Sequence, residues 1–145
     1  MIGLLQRVSK ARVEVNQQSI AAIDTGLAVL IGVEKSDTKA RADRLLARLL
    51  GYRVFPDKDG RMNLSLTDIG GDLLLIPQFT LPADTKKGMR PGFSTAAPPE
   101  AGKDLFDYLL ERAKSRHGKV QSGRFGANMQ VTLTNDGPVT FWLQA

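Results

Sequence analysis

The chain has no cysteine and a single histidine among its 145 residues. Without cysteine it can form no disulfide, no thiolate metal site and no cysteine nucleophile, and this fits the cytosol. The one histidine, His117, lies near the predicted end of a helix. An imidazole there more often complements the helix dipole than performs catalysis, so we expect no histidine metal centre.

Other familiar motifs are missing as well. The sequence contains no Gly-x-Ser-x-Gly elbow, no P-loop and no dinucleotide fingerprint, so we expect no cofactor. No apolar run approaches the roughly 20 residues that span a bilayer, and Met1–Arg7 lacks the features of a signal peptide. We therefore expect a cytoplasmic protein without a membrane segment. Because no repeat or linker interrupts the chain, residues 1–145 are predicted to form one domain.

What the chain has in excess is positive charge. Its formal net charge is +5, which favours an anionic partner such as nucleic acid. Two basic sets stand out, one along a predicted helix and one in a predicted loop at 82–93: Arg41, Arg44 and Arg48, and Lys86, Lys87 and Arg90. The helix set is explained either by a solvated surface or by phosphate contacts that do not depend on base sequence.

Hydrophobic periodicity predicts an α/β domain. Continuous apolar runs at 26–33 and 73–76 indicate strands buried on both faces. Two main helices are predicted, one from a cap at Ser36 or Asp37 to about Leu50, the other from Pro98-Pro99 to about Arg116. Shorter strands are predicted at 2–8, 12–16, 20–23 and 52–55. Near the end, 129–134 and 139–144 alternate with period two around Asn-Asp-Gly-Pro, which predicts a C-terminal β-hairpin.

Two polar segments lie where the regular pattern breaks. If the chain stays extended after Pro77, Gln78 and Thr80 face the same way, which places an amide beside a hydroxyl at the carboxyl end of a buried strand, where α/β sheets tend to bind ligands. In Asn135–Thr140, Pro138 fixes φ and removes a donor where a strand should begin, and a Gly-Pro bond at a tight turn can be cis. Without a ligand, Gln78 and Thr80 are explained as the polar face of an edge strand, and Asn135–Thr140 is explained as a surface turn.

Both segments resemble motifs of the D-aminoacyl-tRNA deacylases. Pro77-Gln78-Phe79-Thr80-Leu81 is similar to the Ser-Gln-Phe-Thr-Leu motif of that family, and Asn135-Asp136-Gly137-Pro138-Val139-Thr140 matches the second motif. The similarity extends over the whole chain, through Gln6-Arg7-Val8, Gly51–Phe55, Gly88–Pro91, Gly123–Phe125 and Phe141–Gln144. Pro77 and Gly92 stand where serine is usual in the family, so any role of the first serine's hydroxyl or N–H is missing.

The resemblance implies an enzyme that hydrolyses the ester between a D-amino acid and the 3′ end of tRNA. Family members also remove glycine from mischarged tRNA. The implied fold is a single compact α/β domain in α/β/β layers with mixed sheets. It forms a homodimer whose active sites lie at the interface, and aminoacyl-tRNA is its other partner.

The resemblance also assigns a chirality filter. Gly137 and Pro138 would form a cis unit whose rigid backbone enters the partner subunit's site. That backbone would leave no room for an L side chain, whereas the hydrogen of a D residue or glycine would fit. Arg7 would hold this unit in orientation.

The remaining assigned residues surround the ester. Gln78, Phe79 and Thr80 would supply backbone N–H groups and a hydroxyl around the scissile carbonyl. Phe125 and Met129 would line the site for the terminal adenosine, whose 2′-hydroxyl would help to activate water. Phe125 and Met129 can each be explained instead as core side chains, and Arg7 can be explained instead as a surface arginine.

Two other functions remain compatible with the residues. The first is a non-catalytic RNA-binding module that uses the two basic sets. The second is a general esterase with Thr80 as the nucleophile, although no base is visible beside it in the sequence. An assay of ester hydrolysis with D-tyrosyl-, L-tyrosyl- and glycyl-tRNA would distinguish these two functions from that of a deacylase.

Overall fold

The computed structural model describes residues 1–145, which form eight strands and three helices. In chain order these are β1 (Ile2–Val15), β2 (Gln18–Ile23), β3 (Gly26–Gly32), α1 (Lys39–Gly51), β4 (Phe55–Pro56), β5 (Met62–Leu64), α2 (Leu66–Ile69), β6 (Asp72–Pro77), α3 (Pro99–Arg116), β7 (Val120–Ser122) and β8 (Gln130–Gln144). The predicted α/β class with two main helices is confirmed. None of the helices is both long and apolar enough to cross a membrane.

Six strands form one mixed sheet. β3 pairs in parallel with β6, and β6 with β7, whereas β1 is antiparallel to β2, β3 and β8. β1 has three neighbours because it is 14 residues long. Its first half lies beside β3, its second half lies beside β2, and β8 follows it on the other side.

The two long helices cover one face of this sheet. α1 buries Ala42, Leu45, Leu46 and Leu49, which share one face at helical spacing. Together with buried residues of α3 and the strands they form a core of 19 residues. Each fully buried leucine stabilises the fold by about 1.5–3 kcal/mol, so this stripe anchors the helical layer.

The opposite face is covered by the second half of β1, by β2 and by the start of β8. Val13 packs there with Leu74 and Ile76 in a second core of eight residues. The inward positions of β1 shift from Val8 to Ala11 and Val13, and the register with β8 is irregular at this point. Such a phase shift requires a bulge. The strands predicted at 2–8 and 12–16 are therefore one strand, and the two cores give the α/β/β layering.

The predicted C-terminal hairpin is wrong. β8 is one strand that pairs with β1 on both sides of the Asn-Asp-Gly-Pro segment. On one side of Arg7 the pairing resumes at Thr140 and on the other at Asn135, so Asp136–Val139 lies opposite Arg7 alone and bulges out. A hairpin needs its two halves to pair with each other, and here both halves pair with the long β1 instead. We call Asp136–Val139 the β8 bulge.

Two boundaries around α1 also differ from the prediction. Thr38, not Ser36 or Asp37, is the N-cap, and its hydroxyl accepts a hydrogen bond from the N–H of Arg41. Tyr52 is the C-cap, so the strand predicted at 52–55 remains only as the short β4.

Candidate active site

A pocket of about 520 Å³ lies where β3 and β6 end. Ile31 and Ile76 contribute apolar side chains from the two strands, and Phe106 contributes one from α3. The size suits a small ligand group. The position is also the one at which α/β sheets tend to bind ligands.

Gln78, Phe79 and Thr80 form a turn at the edge of this pocket. The N–H of Leu81 donates to the carbonyl of Gln78 at 3.2 Å, so the condition that the segment stays extended after Pro77 is not met. Pro77 ends β6 and has no N–H with which to continue a ladder. The side-chain amide of Gln78 nevertheless donates to the Thr80 hydroxyl. The two side chains are therefore adjacent, as predicted, although the backbone between them forms a turn.

This turn carries donors that no other group of the chain uses. The N–H groups of Gln78 and Leu81 are bonded to carbonyls, whereas those of Phe79 and Thr80 donate to none. The Thr80 hydroxyl accepts from Gln78, which leaves its own proton to donate. Two amides and a hydroxyl beside a pocket are the kind of donor set that stabilises an oxyanion.

Phe125 and Met129 line the same pocket from the segment between β7 and β8. The Phe125 ring packs near Phe106, with 6.4 Å between centroids. The Met129 sulfur accepts a hydrogen bond from the N–H of Arg124 at 3.3 Å. A Cβ at Gly123 would lie 2.8 Å from that sulfur, so a larger residue at this position would require the Met129 side chain to shift.

The β8 bulge is held by side chains on both sides. Arg7 Nε donates to the carbonyl of Asp136 at 2.9 Å, and Arg7 Nη1 donates to the carbonyl of Val54 at 2.6 Å. The side-chain oxygen of Asn135 accepts from the N–H of Val139 at 2.8 Å. Together these bonds tie both ends of the bulge to fixed neighbours.

Gly137 and Pro138 form the exposed tip of the β8 bulge. The peptide bond between them is cis, and Gly137 has a φ of 131°. A Cβ at Gly137 would lie 2.9 Å from Arg7 Nη2 and 2.9 Å from Val139 Cγ2. Glycine is therefore required here both by its backbone angle and by its neighbours.

The predicted site residues fall into two groups in one chain. The pocket brings together Gln78, Phe79, Phe125 and Met129, with Thr80 beside them. Arg7, Gly137 and Pro138 form the second group.

The two groups lie apart along the sheet. Arg7 pairs with Leu27 near the start of β3, while the pocket residue Ile31 is four residues further along that strand. This separation is about 13 Å along a strand, so the β8 bulge does not line the pocket of its own chain.

The basic residues and the histidine lie outside the pocket. Two of the three helix arginines have partners within the chain: Arg41 bonds to the Ser36 hydroxyl at 3.0 Å and Arg48 to the Gln144 carbonyl at 2.9 Å. These bonds favour the interpretation as a helix surface. His117 is the C-cap residue of α3, as predicted.

One contact at the pocket was missed by the sequence analysis. Phe93 packs against Phe79, with 5.1 Å between ring centroids. The periodicity of strands and helices carries no information about packing between a loop and a turn. An aromatic residue within an otherwise polar, basic loop was the available signal.

These features define a class of single-domain α/β/β proteins with a donor-rich turn beside an apolar pocket. A solved structure described as c-Myc DNA Unwinding Element Binding Protein has the same fold, with a TM-score of 0.96 and 35% identity over 100% of this chain and 99% of that one. A probable eukaryotic D-amino acid tRNA deacylase also shares it, with a TM-score of 0.85 and 19% identity over 99% and 98% of the two chains.

Sequence comparisons place the chain within this class. The D-aminoacyl-tRNA deacylases of Pseudomonas fluorescens and Pseudomonas putida are 66% and 65% identical to it over 144 residues, covering 99% of each chain. A family model described as D-Tyr-tRNA(Tyr) deacylase matches residues 4–144. The chain belongs to this deacylase family, and the resemblance found in the sequence is confirmed.

Proposed function

We propose that the protein hydrolyses the ester that joins a D-amino acid to the 3′ end of tRNA, and that it also accepts glycyl-tRNA. The observation that carries this proposal is the set of available donors at Phe79 and Thr80 on the edge of an apolar pocket. It occurs in a chain 66% identical to a D-aminoacyl-tRNA deacylase.

The donors fit the transition state of ester hydrolysis. When water attacks the scissile carbonyl, its oxygen becomes negatively charged, and preorganised N–H groups stabilise that charge. Each such donor contributes about 10²–10³ in rate. The N–H groups of Phe79 and Thr80 have no competing partner in the chain, so they are available to the substrate.

The catalytic base is supplied by the RNA. The Thr80 hydroxyl is bonded to the side-chain amide of Gln78, and an amide cannot remove its proton, so Thr80 is poorly activated as a nucleophile. The 2′-hydroxyl of the terminal adenosine lies next to the ester in the substrate itself. It activates the water, while Phe125 and Met129 hold the adenine against their apolar surfaces.

Chirality is read by backbone. Gly137 and Pro138 form one wall against the Cα of the amino acid, and Arg7 keeps that wall in place through its bonds to Asp136 and Val54. An L side chain would collide with this wall, whereas the hydrogen of a D residue or of glycine fits. Selection by exclusion explains how one site accepts many D-amino acids.

The wall belongs to a second copy of the chain. The β8 bulge is exposed and lies about 13 Å along the sheet from its own pocket. In a two-fold homodimer, each bulge can enter the pocket of the other copy and complete two identical sites.

The test is a comparison of D-tyrosyl-, L-tyrosyl- and glycyl-tRNA, with ester loss followed for the wild type and for Thr80→Ala. We expect rapid loss of the D and glycyl esters, no acceleration for the L ester, and a residual rate in Thr80→Ala that is about 10²–10³ lower. Equal hydrolysis of D and L esters would refute the filter. A completely inactive Thr80→Ala that still binds RNA would instead indicate a nucleophile, and a wild type that binds without hydrolysis would indicate an RNA-binding module.

A further inference from the structure

An exposed pair of aromatic rings lies at the mouth of the pocket. Phe79 is 62% exposed and Phe93 is 41% exposed, and their ring centroids are 5.1 Å apart. Single exposed apolar side chains are common on protein surfaces, whereas adjacent exposed ones that form a continuous patch often mark an interaction surface. Because Phe79 also lines the pocket, this surface is continuous with the site proposed for the ester.

A basic loop adjoins the pair. The backbones of Asp84 and Gly92 exchange two hydrogen bonds of 2.7 and 2.9 Å, which close the loop immediately before Phe93. Gly92 thus keeps the loop closed although serine is usual at this position in the family. The exposed residues of the loop tip include Lys86, Lys87, Met89 and Arg90.

The charge of this loop is not neutralised. Residues 82–93 contain three cations and one carboxylate, that of Asp84, which leaves a net charge of +2. The Asp84 carboxylate accepts a hydrogen bond from the N–H of Lys86 at 3.0 Å, so it serves the backbone turn. The three cationic side chains are left to bind an anion.

We propose that the loop platform, defined as Phe79, Phe93, Lys86, Lys87 and Arg90, binds the unpaired nucleotides that precede the terminal adenosine of the acceptor strand. This proposal rests on the proposed function, since the pocket must first hold that adenosine. Proteins bind single strands by stacking bases on aromatic rings while cations follow the phosphates. Stacking requires no particular base, so the platform would hold every acceptor end in the same way.

The charge also argues against a second copy of the chain as the occupant. In a two-fold contact centred on this surface, each +2 loop would face its own counterpart, and like charges across an interface are unfavourable. A polyanionic strand satisfies both the rings and the cations.

The experiment compares two substrates, D-tyrosyl-tRNA and D-tyrosyl-adenosine, the second of which lacks the preceding nucleotides. The readout is the ratio of kcat/KM on the first to that on the second. Phe93→Ala should lower this ratio about 5- to 150-fold, the effect of removing one base stack. The double variant Lys86→Glu, Lys87→Glu should also lower it. For this double variant, the plot of log kcat/KM on D-tyrosyl-tRNA against log salt concentration should be less steep. The slope should decrease by about 0.7 for each phosphate that the two side chains no longer neutralise.

Lys58→Glu is the matched control, since Lys58 is an exposed lysine in the turn between β4 and β5, and its ratio should equal that of the wild type. An unchanged ratio in both platform variants would overturn the proposal. So would a change of oligomeric state in Phe93→Ala with an unchanged ratio, because the rings would then form a contact between chains.

Failure of the proposed function would look different, because the wild type would then hydrolyse neither substrate. In that case the platform is tested by comparing the affinity of the protein for an RNA hairpin with a 3′ overhang and for the same hairpin with a blunt end. A preference for the overhang that disappears in Phe93→Ala supports the platform by itself, and the absence of any preference overturns it.

Discussion

Gly137 combines a left-handed backbone with close neighbours. Its φ of 131° is one that side chains other than glycine rarely adopt, and a Cβ there would come within 2.9 Å of the Arg7 guanidinium. Arg7 in turn bonds to the carbonyls of Asp136 and Val54. A single methyl group at Gly137 would therefore disturb the Arg7 hydrogen bonds that hold the β8 bulge.

Gly137→Ala is accordingly expected to lower kcat/KM on D-tyrosyl-tRNA by at least about tenfold, because a left-handed conformation costs an L residue about 1–2 kcal/mol and the new methyl group displaces Arg7. Single-turnover hydrolysis of D- and L-tyrosyl-tRNA measures the effect. Gly118→Ala is the matched control, since a Cβ at Gly118 would meet nothing within 4 Å. Wild-type rates and selectivity in Gly137→Ala would count against the role of the bulge.

Individual residues of the site could be predicted where a local rule applies. Gln78 and Thr80 are two positions apart, and their side chains meet, although the segment turns and does not stay extended. The Val54 carbonyl that accepts from Arg7 could not be predicted, since the two residues are 47 positions apart and only the packed fold brings them together.

At the scale of elements, α1 and α3 are joined through one carboxylate. Asp43 accepts hydrogen bonds from Arg112 Nε at 2.9 Å and from the Tyr108 hydroxyl at 2.9 Å. The hydrogen bond from Arg112, followed by that from Tyr108, holds the pKa of Asp43 below its usual value. The ionised carboxylate is thus the form that connects the two helices.

Asp43→Asn is expected to lower the thermal midpoint at neutral pH, because it removes the negative charge that Arg112 faces. A pKa depressed by folding gives stability that is present above the unfolded value near 3.9 and is lost as pH falls through the folded pKa. The wild type should therefore exceed Asp43→Asn by a constant margin above about pH 5, and that margin should shrink in more acidic solution. Melting curves from pH 3 to 7 measure the difference.

Asp107→Asn serves as the comparison. Asp107 pairs with Lys103 on the exposed surface of α3, where such pairs contribute little, so its melting point should stay close to that of the wild type. Equal midpoints for Asp43→Asn and the wild type at pH 7 would show that the connection between α1 and α3 does not stabilise the fold.

The elements themselves were predictable where one period persists. The buried runs of β3 and β6 and the helix predicted to end at about Leu50 are confirmed, because each pattern is uninterrupted. The Asn-Asp-Gly-Pro segment has every local feature of a hairpin turn, yet it is a bulge, because β1 is long enough to pair with β8 on both sides of it. The partner of a strand is a property of the sheet and is not encoded in the turn.

For the whole molecule, the positions of the two motifs matter more than the motifs themselves. The apolar patterns of the sequence predict an α/β domain, whereas the α/β/β layering was implied only by the resemblance to the deacylases. The sequence contains no local signal that the donor-rich turn and the β8 bulge lie in different parts of one chain. That separation follows from the register of β1 with β3, which places Arg7 opposite Leu27 and Gly3 opposite the pocket residue Ile31, and it leads to the proposal that a complete site requires two copies.

Mixing two variants tests this central claim most directly. Thr80→Ala carries an intact bulge and Gly137→Ala an intact turn, so each mixed dimer has one complete site if the bulge acts in the partner's pocket. After unfolding and refolding together at equal concentration, half of the dimers are mixed, and hydrolysis of D-tyrosyl-tRNA should recover to about a quarter of the wild-type rate. L-tyrosyl-tRNA should remain intact. Mixed dimers that are detected by native mass spectrometry but show no recovered activity would contradict the account, as would a wild type that is fully active as a monomer.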